Sequence, residues 1–66
     1  ADEALNLALA HAGVLKADAK ELEIDTDDDD GRIIYEIEFV CNGFEYDYEI
    51  DASNGNIIKS EKEIDN

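Results

Sequence analysis

The chain has 66 residues and a formal net charge of −14, because 19 Asp and Glu residues outnumber 5 Lys and Arg residues. Nucleic acid requires a basic footprint and an anionic membrane surface repels acidic proteins, so the composition excludes both as partners. The electrostatic partners left open are a basic protein patch, a metal ion, or counterions alone.

The length predicts one domain over residues 1–66, near the size at which a single hydrophobic core is only marginally sufficient. The single cysteine excludes an internal disulfide. The sequence shows no signal peptide or transmembrane stretch. Because it begins at Ala1 and contains no methionine, we expect a mature fragment or a domain excised from a longer protein.

A helix is predicted over Asp2–Ala12. Its apolar residues recur at the spacing of one helical face: Leu5, Ala8, Leu9 and Ala12. Asp2 suits the N-cap position, and Gly13 followed by Val14 matches the Schellman stop signal. The apolar face predicts a helix that lies across a sheet, and Leu15–Lys20 is expected to be a connection.

An alternating stretch over Glu21–Asp25 predicts the first strand, with Leu22 and Ile24 directed inward. The run of aspartates that follows predicts a solvated turn over Asp27–Gly31, because mutual repulsion disfavours strand pairing there. This turn would lead into the centre of the fold.

The centre of the predicted fold is a hairpin over Ile33–Ala52. Two alternating runs flank Asn42-Gly43, the strongest short-range hairpin signal, because a type I′ turn needs a positive φ at both positions. A two-residue loop fixes the register, and each resulting pair is apolar on both sides: Cys41 with Phe44, Phe39 with Tyr46, Ile37 with Tyr48, and Tyr35 with Ile50.

The opposite face of this hairpin is predicted to be acidic and exposed to solvent, Asp51 included. Its candidate partner-binding residues are Glu36, Glu38, Glu45, Asp47 and Glu49. Like charges placed opposite each other cost stability, whereas charge on the open face of a one-layer sheet is common. The face therefore either receives a basic partner or only solvates the sheet.

A second turn is predicted over Asp51–Gly55, in which Asp51 accepts backbone N–H groups, Asn54 precedes the glycine and Gly55 takes a positive φ. A last strand begins at Ile57-Ile58, and residues 59–66 are expected to fray. The sum is an α+β fold with one N-terminal helix on an antiparallel meander of three to four strands. The oligomeric state stays open, although an uncovered outer strand near Ile57 could pair with another chain.

The aspartate run raises the question of calcium. An EF-hand register starting at Asp25 would place Asp27, Asp29 and Glu36 at further ligand positions, but Asp30 stands where glycine is required and the flanks are strands. This register fails, and a weak loop site of another kind over residues 25–30 remains an alternative to a solvated hairpin tip.

The sequence predicts no enzyme. A Cys-His catalytic pair needs both groups together in a cleft, whereas His11 belongs at a helix C-terminus and Cys41 on the core side of a turn. Soft ligands are too few for zinc. We therefore assign no catalytic residue, no metal site and no cofactor.

Three segments of the chain together resemble a PepSY domain. They are the helix end Leu9-Ala10-His11-Ala12-Gly13, the strand from Gly31 to Phe39, and the second strand with its turn from Asn42 to Ile58. The most telling part is Tyr48-Glu49-Ile50-Asp51-Ala52 followed by Asn54-Gly55, which is similar to the family pattern Y-x-I-D-A-x-x-G-x-I. The resemblance spans nearly the whole chain.

This resemblance implies a bacterial, non-catalytic module of a secreted or envelope-anchored protein. The family occurs in propeptides of thermolysin-like metalloproteases, and it is expected to inhibit or modulate extracytoplasmic peptidases through protein binding. Its matched residues determine the fold and carry no catalytic or metal motif. The alternatives are a structural spacer domain of an envelope lipoprotein and a weakly calcium-responsive acidic domain.

Overall fold

The computed structural model describes residues 2–65. One helix precedes four strands, with a short 3₁₀ turn over Lys16–Asp18 between them. The elements are α1 (Asp2–Ala12), β1 (Lys20–Asp29), β2 (Arg32–Cys41), β3 (Phe44–Asp51) and β4 (Ile57–Ile64). The strands form one antiparallel sheet in chain order, which confirms the α+β prediction. Within residues 2–65, none of the helices has the length and hydropathy that spanning a bilayer would require.

The end of α1 is the predicted Schellman motif. The Val14 N–H donates to the Leu9 carbonyl at 3.0 Å, and the Gly13 N–H donates to the Ala10 carbonyl at 3.2 Å. Gly13 has φ +72°, which only glycine adopts without cost. The chain therefore leaves the helix where the sequence predicts.

The core lies between α1 and the two central strands. The helix contributes Ala4, Leu5, Ala8 and Leu9, and the strands contribute Ile37, Phe39, Cys41, Tyr46, Tyr48 and Ile50. The Phe39 ring stacks on Tyr46 at 5.1 Å and on Tyr48 at 6.2 Å between centroids. Aromatic rings packed in this way stabilise a small core beyond the area they bury.

The hairpin of β2 and β3 has the predicted register, with Cys41 opposite Phe44 and Tyr35 opposite Ile50. Its turn residues Asn42 and Gly43 have φ +53° and +80°, as a type I′ turn requires. Turn chemistry and apolar alternation specify the same pairing, which explains why the register can be predicted.

The predicted turn over Asp27–Gly31 is wrong, because β1 continues through Asp29. The reversal needs only Asp30 and Gly31, whose φ values are +58° and +83°, and Asp-Gly is itself a two-residue hairpin turn. Alternation places successive aspartates on opposite faces, which lowers the charge density on each. Every second residue of β1 also gains ladder hydrogen bonds with β2, and these outweigh the remaining repulsion.

The inward position predicted for Leu22 is also wrong, since its side chain is 37% exposed. The β1–β2 register shifts between Lys20 and Glu23, and Glu21 has φ +52°. Such a bulge changes the direction of the side chains beside it. Ile24 lies beyond the bulge, opposite Ile37, and packs against the core.

Fraying after Ile58 is a further prediction that the structure corrects. β4 continues to Ile64, which pairs with Phe44 of β3. The extension satisfies backbone groups along β3, and Lys62 Nζ lies 4.3 Å from the Phe44 ring centroid. Asn66, the end of the predicted frayed segment, lies outside the described residues.

Candidate functional site

The sheet has one face covered by α1 and a second face that we call the open face. On the open face lie the side chains that alternate with the core residues of the strands. All the candidate partner-binding residues lie there: Glu36, Glu38, Glu45, Asp47 and Glu49. The hairpin register brings them together, because directly paired residues share a face.

Two rows of cross-strand pairs extend the acidic surface over all four strands. The first row consists of Glu23, Glu38, Asp47 and Glu61. The second row consists of Asp25, Glu36, Glu49 and Lys59. Neighbouring strands are about 4.8 Å apart, so the first row holds four carboxylates at close range with no base among them. Like charges in this arrangement destabilise a sheet.

Glu38 shows the electrostatic consequence within the first row. Its pKa is raised above its usual 4.5, first because the carboxyl is partly desolvated, and then because of the charges of Asp47, Glu23, Glu45 and Asp25. A raised carboxyl pKa means that the surroundings disfavour the charged form. The first row therefore attracts any cationic group that approaches it.

Lys59, a member of the second row, offsets part of the repulsion in both rows. Its Nζ lies 3.5 Å from Asp47 Oδ2, 3.5 Å from Glu49 Oε2 and 3.6 Å from Glu61 Oε1. The pKa of Lys59 is raised, chiefly by the charge of Asp47 and then by that of Glu61. One ammonium thus offsets one of the three negative charges on the β4 side of the face, and it leaves the carboxylates of β1 uncompensated.

The prediction that every carboxylate of the open face is exposed to solvent is wrong. Asp51 is buried, with 8% of its surface exposed. Its Oδ1 accepts hydrogen bonds from the Ser53 N–H at 2.9 Å and the Ser53 Oγ–H at 2.7 Å, and Oδ2 lies 3.6 Å from Arg32 Nε. These hydrogen bonds, and then the Arg32 charge, lower the pKa of Asp51. Asp51 therefore organises the turn and is not available as part of a docking surface.

The remaining predicted carboxylates differ in exposure. Glu38 and Glu45 are exposed, whereas Glu36, Asp47 and Glu49 are half-buried. Of the half-buried residues, Asp47 and Glu49 contact Lys59. Glu38 and Glu45 are consequently the members of the predicted set most accessible to a partner.

The turn after β3 is closed by its own hydrogen bonds. The Gly55 N–H donates to the Asp51 carbonyl at 2.8 Å, and the Asn54 side chain accepts from the Asn56 N–H at 2.9 Å. Gly55 has φ +77°, which favours glycine. The turn holds Asp51 against Arg32 and starts β4 in register with β3.

Sequence reasoning missed the contributions of β1 and β4 to the open face, namely Glu23, Asp25, Glu61 and Lys59. A signal for the β1 residues is present: a two-residue turn at Asp30-Gly31 places Asp25 opposite Glu36 and Glu23 opposite Glu38. For β4 no comparable signal exists, because the β3–β4 register shifts at a bulge beside Glu49 and Ile50.

The residues considered for catalysis and for metal binding are dispersed. Cys41 is buried in the core, and His11 Nδ1 is hydrogen-bonded to the Tyr48 hydroxyl at 3.0 Å. Of the segment 25–30 considered as a calcium loop, all residues but Asp30 lie along β1. Across residues 2–65, no group of three or more His, Cys, Asp or Glu side chains is placed to hold a metal ion.

Comparison with known proteins gives two matches. Residues 1–61 match the PepSY family, described as "Peptidase propeptide and YPEB domain". The chain is also 44% identical over 62 residues to the uncharacterized protein Spy1430 of Streptococcus pyogenes, a match that covers 94% of this chain and 48% of that protein. The chain thus spans about half the length of this curated relative. No solved structure matches the chain.

Proposed function

Because the chain belongs to the PepSY family, we propose that it is a non-catalytic protein-binding module that docks on an extracytoplasmic peptidase and modulates its activity. The single observation that carries this proposal is the family match over residues 1–61, since the family takes its description from peptidase propeptides. In this proposal the domain acts at the cell envelope or outside the cell.

We assign the docking surface to the exposed part of the open face, at Glu38 and Glu45. Partial desolvation and then the neighbouring acidic charges raise the pKa of Glu38. A lysine or arginine of a partner would relieve the part of this effect that is repulsion between carboxylates. Contacts between complementary charges accelerate association and select the partner more than they add affinity. The expected partner surface is therefore basic.

The mechanism in this proposal is occlusion and not chemistry. A small rigid sheet that covers the entrance to a peptidase cleft lowers the rate at which substrate binds without entering the catalytic cycle. Such an inhibitor survives the encounter uncut. Strand pairing on both sides protects the backbone of the central strands β2 and β3 from cleavage.

The experiment is a progress curve of a thermolysin-like peptidase on a peptide substrate, with the purified domain added at increasing concentration. We expect saturable inhibition, and mass spectrometry of the mixture should recover intact domain. An unchanged rate with intact domain would contradict the proposal for this class of peptidase and would favour the spacer function.

A matched pair of variants tests the surface. The double substitution Glu38→Gln/Glu45→Gln should weaken inhibition and make it less sensitive to salt. The control Glu3→Gln/Asp18→Asn removes the same charge from exposed positions outside the strands and should leave inhibition unchanged. The double substitution Glu38→Gln/Glu45→Gln also removes repulsion between carboxylates and is therefore expected to stabilise the fold. A loss of inhibition in this variant would then reflect the lost surface charge and not unfolding. Equal effects of both pairs would show that only net charge matters.

A further inference from the structure

The two edge strands of the sheet differ in how well each could pair with the same strand of a second molecule. β1 forms one edge and β4 the other. An edge strand exposes unpaired N–H and C=O groups, and natural proteins protect such edges with charge or bulges. β1 has a bulge and only acidic charge on its open face, whereas residues 59–64 of β4 lie beyond the β3–β4 bulge and carry charges of both signs. We propose that β4 pairs with β4 of a second copy and forms a dimer with a continuous eight-stranded sheet.

The edge of β1 repels itself in every antiparallel register. Its open-face side chains beyond the bulge are Glu23, Asp25, Asp27 and Asp29. Two copies of β1 with their open faces aligned would always place one of these carboxylates opposite another. The bulge at Glu21 also interrupts the edge. β1 is therefore closed to self-association.

The edge of β4 carries balanced charge and exposed apolar side chains. Within it, Lys59 and Lys62 accompany Glu61 and Glu63. Ile58 is 44% exposed and Ile64 is 71% exposed, and both belong to this strand. Large apolar side chains on an unpaired edge favour burial against another strand.

The backbone of β4 identifies which groups face outward. The Asp65 N–H donates to the Gly43 carbonyl at 2.9 Å, so residue 65 directs its N–H toward β3. Because successive residues alternate along a strand, the odd-numbered residues from 59 to 63 bond β3 and the even-numbered residues face outward. Ser60, Lys62 and Ile64 are thus free to bond a second strand.

One register makes these outward groups complementary. With Glu61 on the two-fold axis, Ile58 pairs with Ile64 of the other copy and Lys59 pairs with Glu63, and each of these pairs occurs twice. Ile64 lies on the side of the sheet that carries α1, opposite Phe44, and Ile58 stands at the β3–β4 bulge. The ion pairs lie on the open face. The disadvantage of this register is that the Glu61 side chains of the two copies stand opposite each other and repel. Shifting the axis to Ser60 would pair Lys59 with Glu61 and lose both isoleucine pairs.

The dimer is expected to be weak, because one strand on each side buries less than a standard interface. Sedimentation equilibrium up to about 1 mM protein at about 0.15 M salt, which screens the net charge, should show the mass rise from 7.3 kDa toward twice that value. A mass of 7.3 kDa throughout this range would overturn the proposal.

Variants test which edge and which register are used. Ile64→Glu should weaken the dimer by about tenfold or more, whereas Leu22→Glu, which changes an exposed leucine beside the opposite edge, should not. Ser60→Pro removes an outward N–H without removing a bond to β3 and should also prevent dimerisation, with circular dichroism checking the fold. A dimer that survives both β4 substitutions would overturn the proposal.

Glu61→Gln provides a gain-of-function test of the register. It removes the central repulsion, so the dimer should become about two- to fivefold tighter. Glu23→Gln, which relieves the same acidic row from the β1 side, is the control and should leave dimerisation unchanged. Weaker dimerisation of Glu61→Gln would indicate the Ser60 axis, with Lys59 opposite Glu61, and would overturn the register proposed here.

Discussion

At the scale of single residues, two carboxylates on neighbouring strands have opposite effects on stability. Glu38 is surrounded by like charge, whereas Asp51 accepts hydrogen bonds and faces a guanidinium. The pKa of Glu38 is raised and that of Asp51 is lowered. Residue type alone does not distinguish the two. The surroundings that the fold gives to each carboxylate decide whether its pKa is raised or lowered.

Glu38→Gln is predicted to stabilise the domain at neutral pH. Because the folded-state pKa of Glu38 lies above the usual 4.5, its favourable contribution exists below that value and is lost as the pH rises through the folded pKa. Removing the charge should raise the free energy of unfolding at pH 7 by about 0.5 kcal/mol, and this gain should shrink as the pH falls toward 4.5. Urea unfolding at several pH values measures it.

Glu49→Gln is the control for this prediction. It removes an identical charge from the next row, but from a residue whose carboxylate lies 3.5 Å from Lys59 Nζ. We expect no stabilisation, because a favourable contact is lost together with the repulsion. A similar gain in both variants would mean that net charge, and not the position of Glu38 in its row, determines the effect.

Asp51→Ala is predicted to destabilise the domain and to lower its Tm. The substitution removes both hydrogen bonds to Ser53 and the contact with Arg32. Because the folded-state pKa of Asp51 is below the usual 3.8, its contribution is fully present above that value and is lost as the pH falls through the folded pKa. The Tm difference from the wild type should therefore be constant near neutral pH and should close in acid.

Ser53→Ala tests the same turn with a smaller change. It removes only the Oγ–H bond to Asp51 and should cost about 1 kcal/mol. A Tm loss for Asp51→Ala no larger than that for Ser53→Ala would contradict the organising role given to the carboxylate.

At the scale of elements, a polar contact joins α1 to β3. The His11 ring lies edge-on to Tyr48 at 5.5 Å between centroids, and His11 Nδ1 is 3.0 Å from the Tyr48 hydroxyl. Tyr48 is only 2% exposed, so its hydroxyl needs a partner. His11 therefore fixes the C-terminal end of the helix over the sheet.

Tyr48→Phe should lower the free energy of unfolding by about 1 kcal/mol, because the hydrogen bond is lost while the ring packing stays. A double-mutant cycle with His11→Ala assigns the effect to this pair. If the bond links the two elements, the double substitution costs less than the two single losses added together. Additive losses would show that the two side chains act independently.

The sequence determines the central hairpin more completely than the outer strands. Asn42-Gly43 and the apolar alternation agree, so the β2–β3 register could be predicted residue by residue. The sequence pattern predicts β1 too short, because repulsion among its aspartates disfavours pairing, whereas the Asp30-Gly31 turn allows pairing through Asp29. β4 depends on pairing with β3 after a bulge, and such a long-range register has no local signal.

The candidate site, like the fold, could be predicted where it lies on the central hairpin and not where it lies on the outer strands. The hairpin register places Glu36, Glu38, Glu45, Asp47 and Glu49 on one face, and the structure brings these residues together there. The cross-strand neighbours from β1 and β4, and the burial of Asp51, depend on tertiary contacts that a single strand pattern does not contain.

At the scale of the whole molecule, charge and apolar area are separated between the two faces of one sheet. The core side chains lie under α1, and the acidic rows lie on the open face. A domain with a net charge of −14 keeps its acidic residues solvated by this arrangement, but it carries self-repulsion that opposes the compact state. Its stability should therefore depend on the ionic strength of the solution.

The Tm is predicted to rise as NaCl increases from about 0.01 M to about 0.5 M, because the screening length falls from about 30 Å to a few ångströms and no longer spans the face. Differential scanning calorimetry at constant pH measures the slope. Glu38→Gln/Glu45→Gln should raise the Tm at low salt and flatten the dependence, whereas Glu3→Gln/Asp18→Asn, with the same net charge, should keep a slope closer to that of the wild type. Equal slopes for the two variants would mean that repulsion is distributed over the whole surface and that the acidic rows have no special part in it.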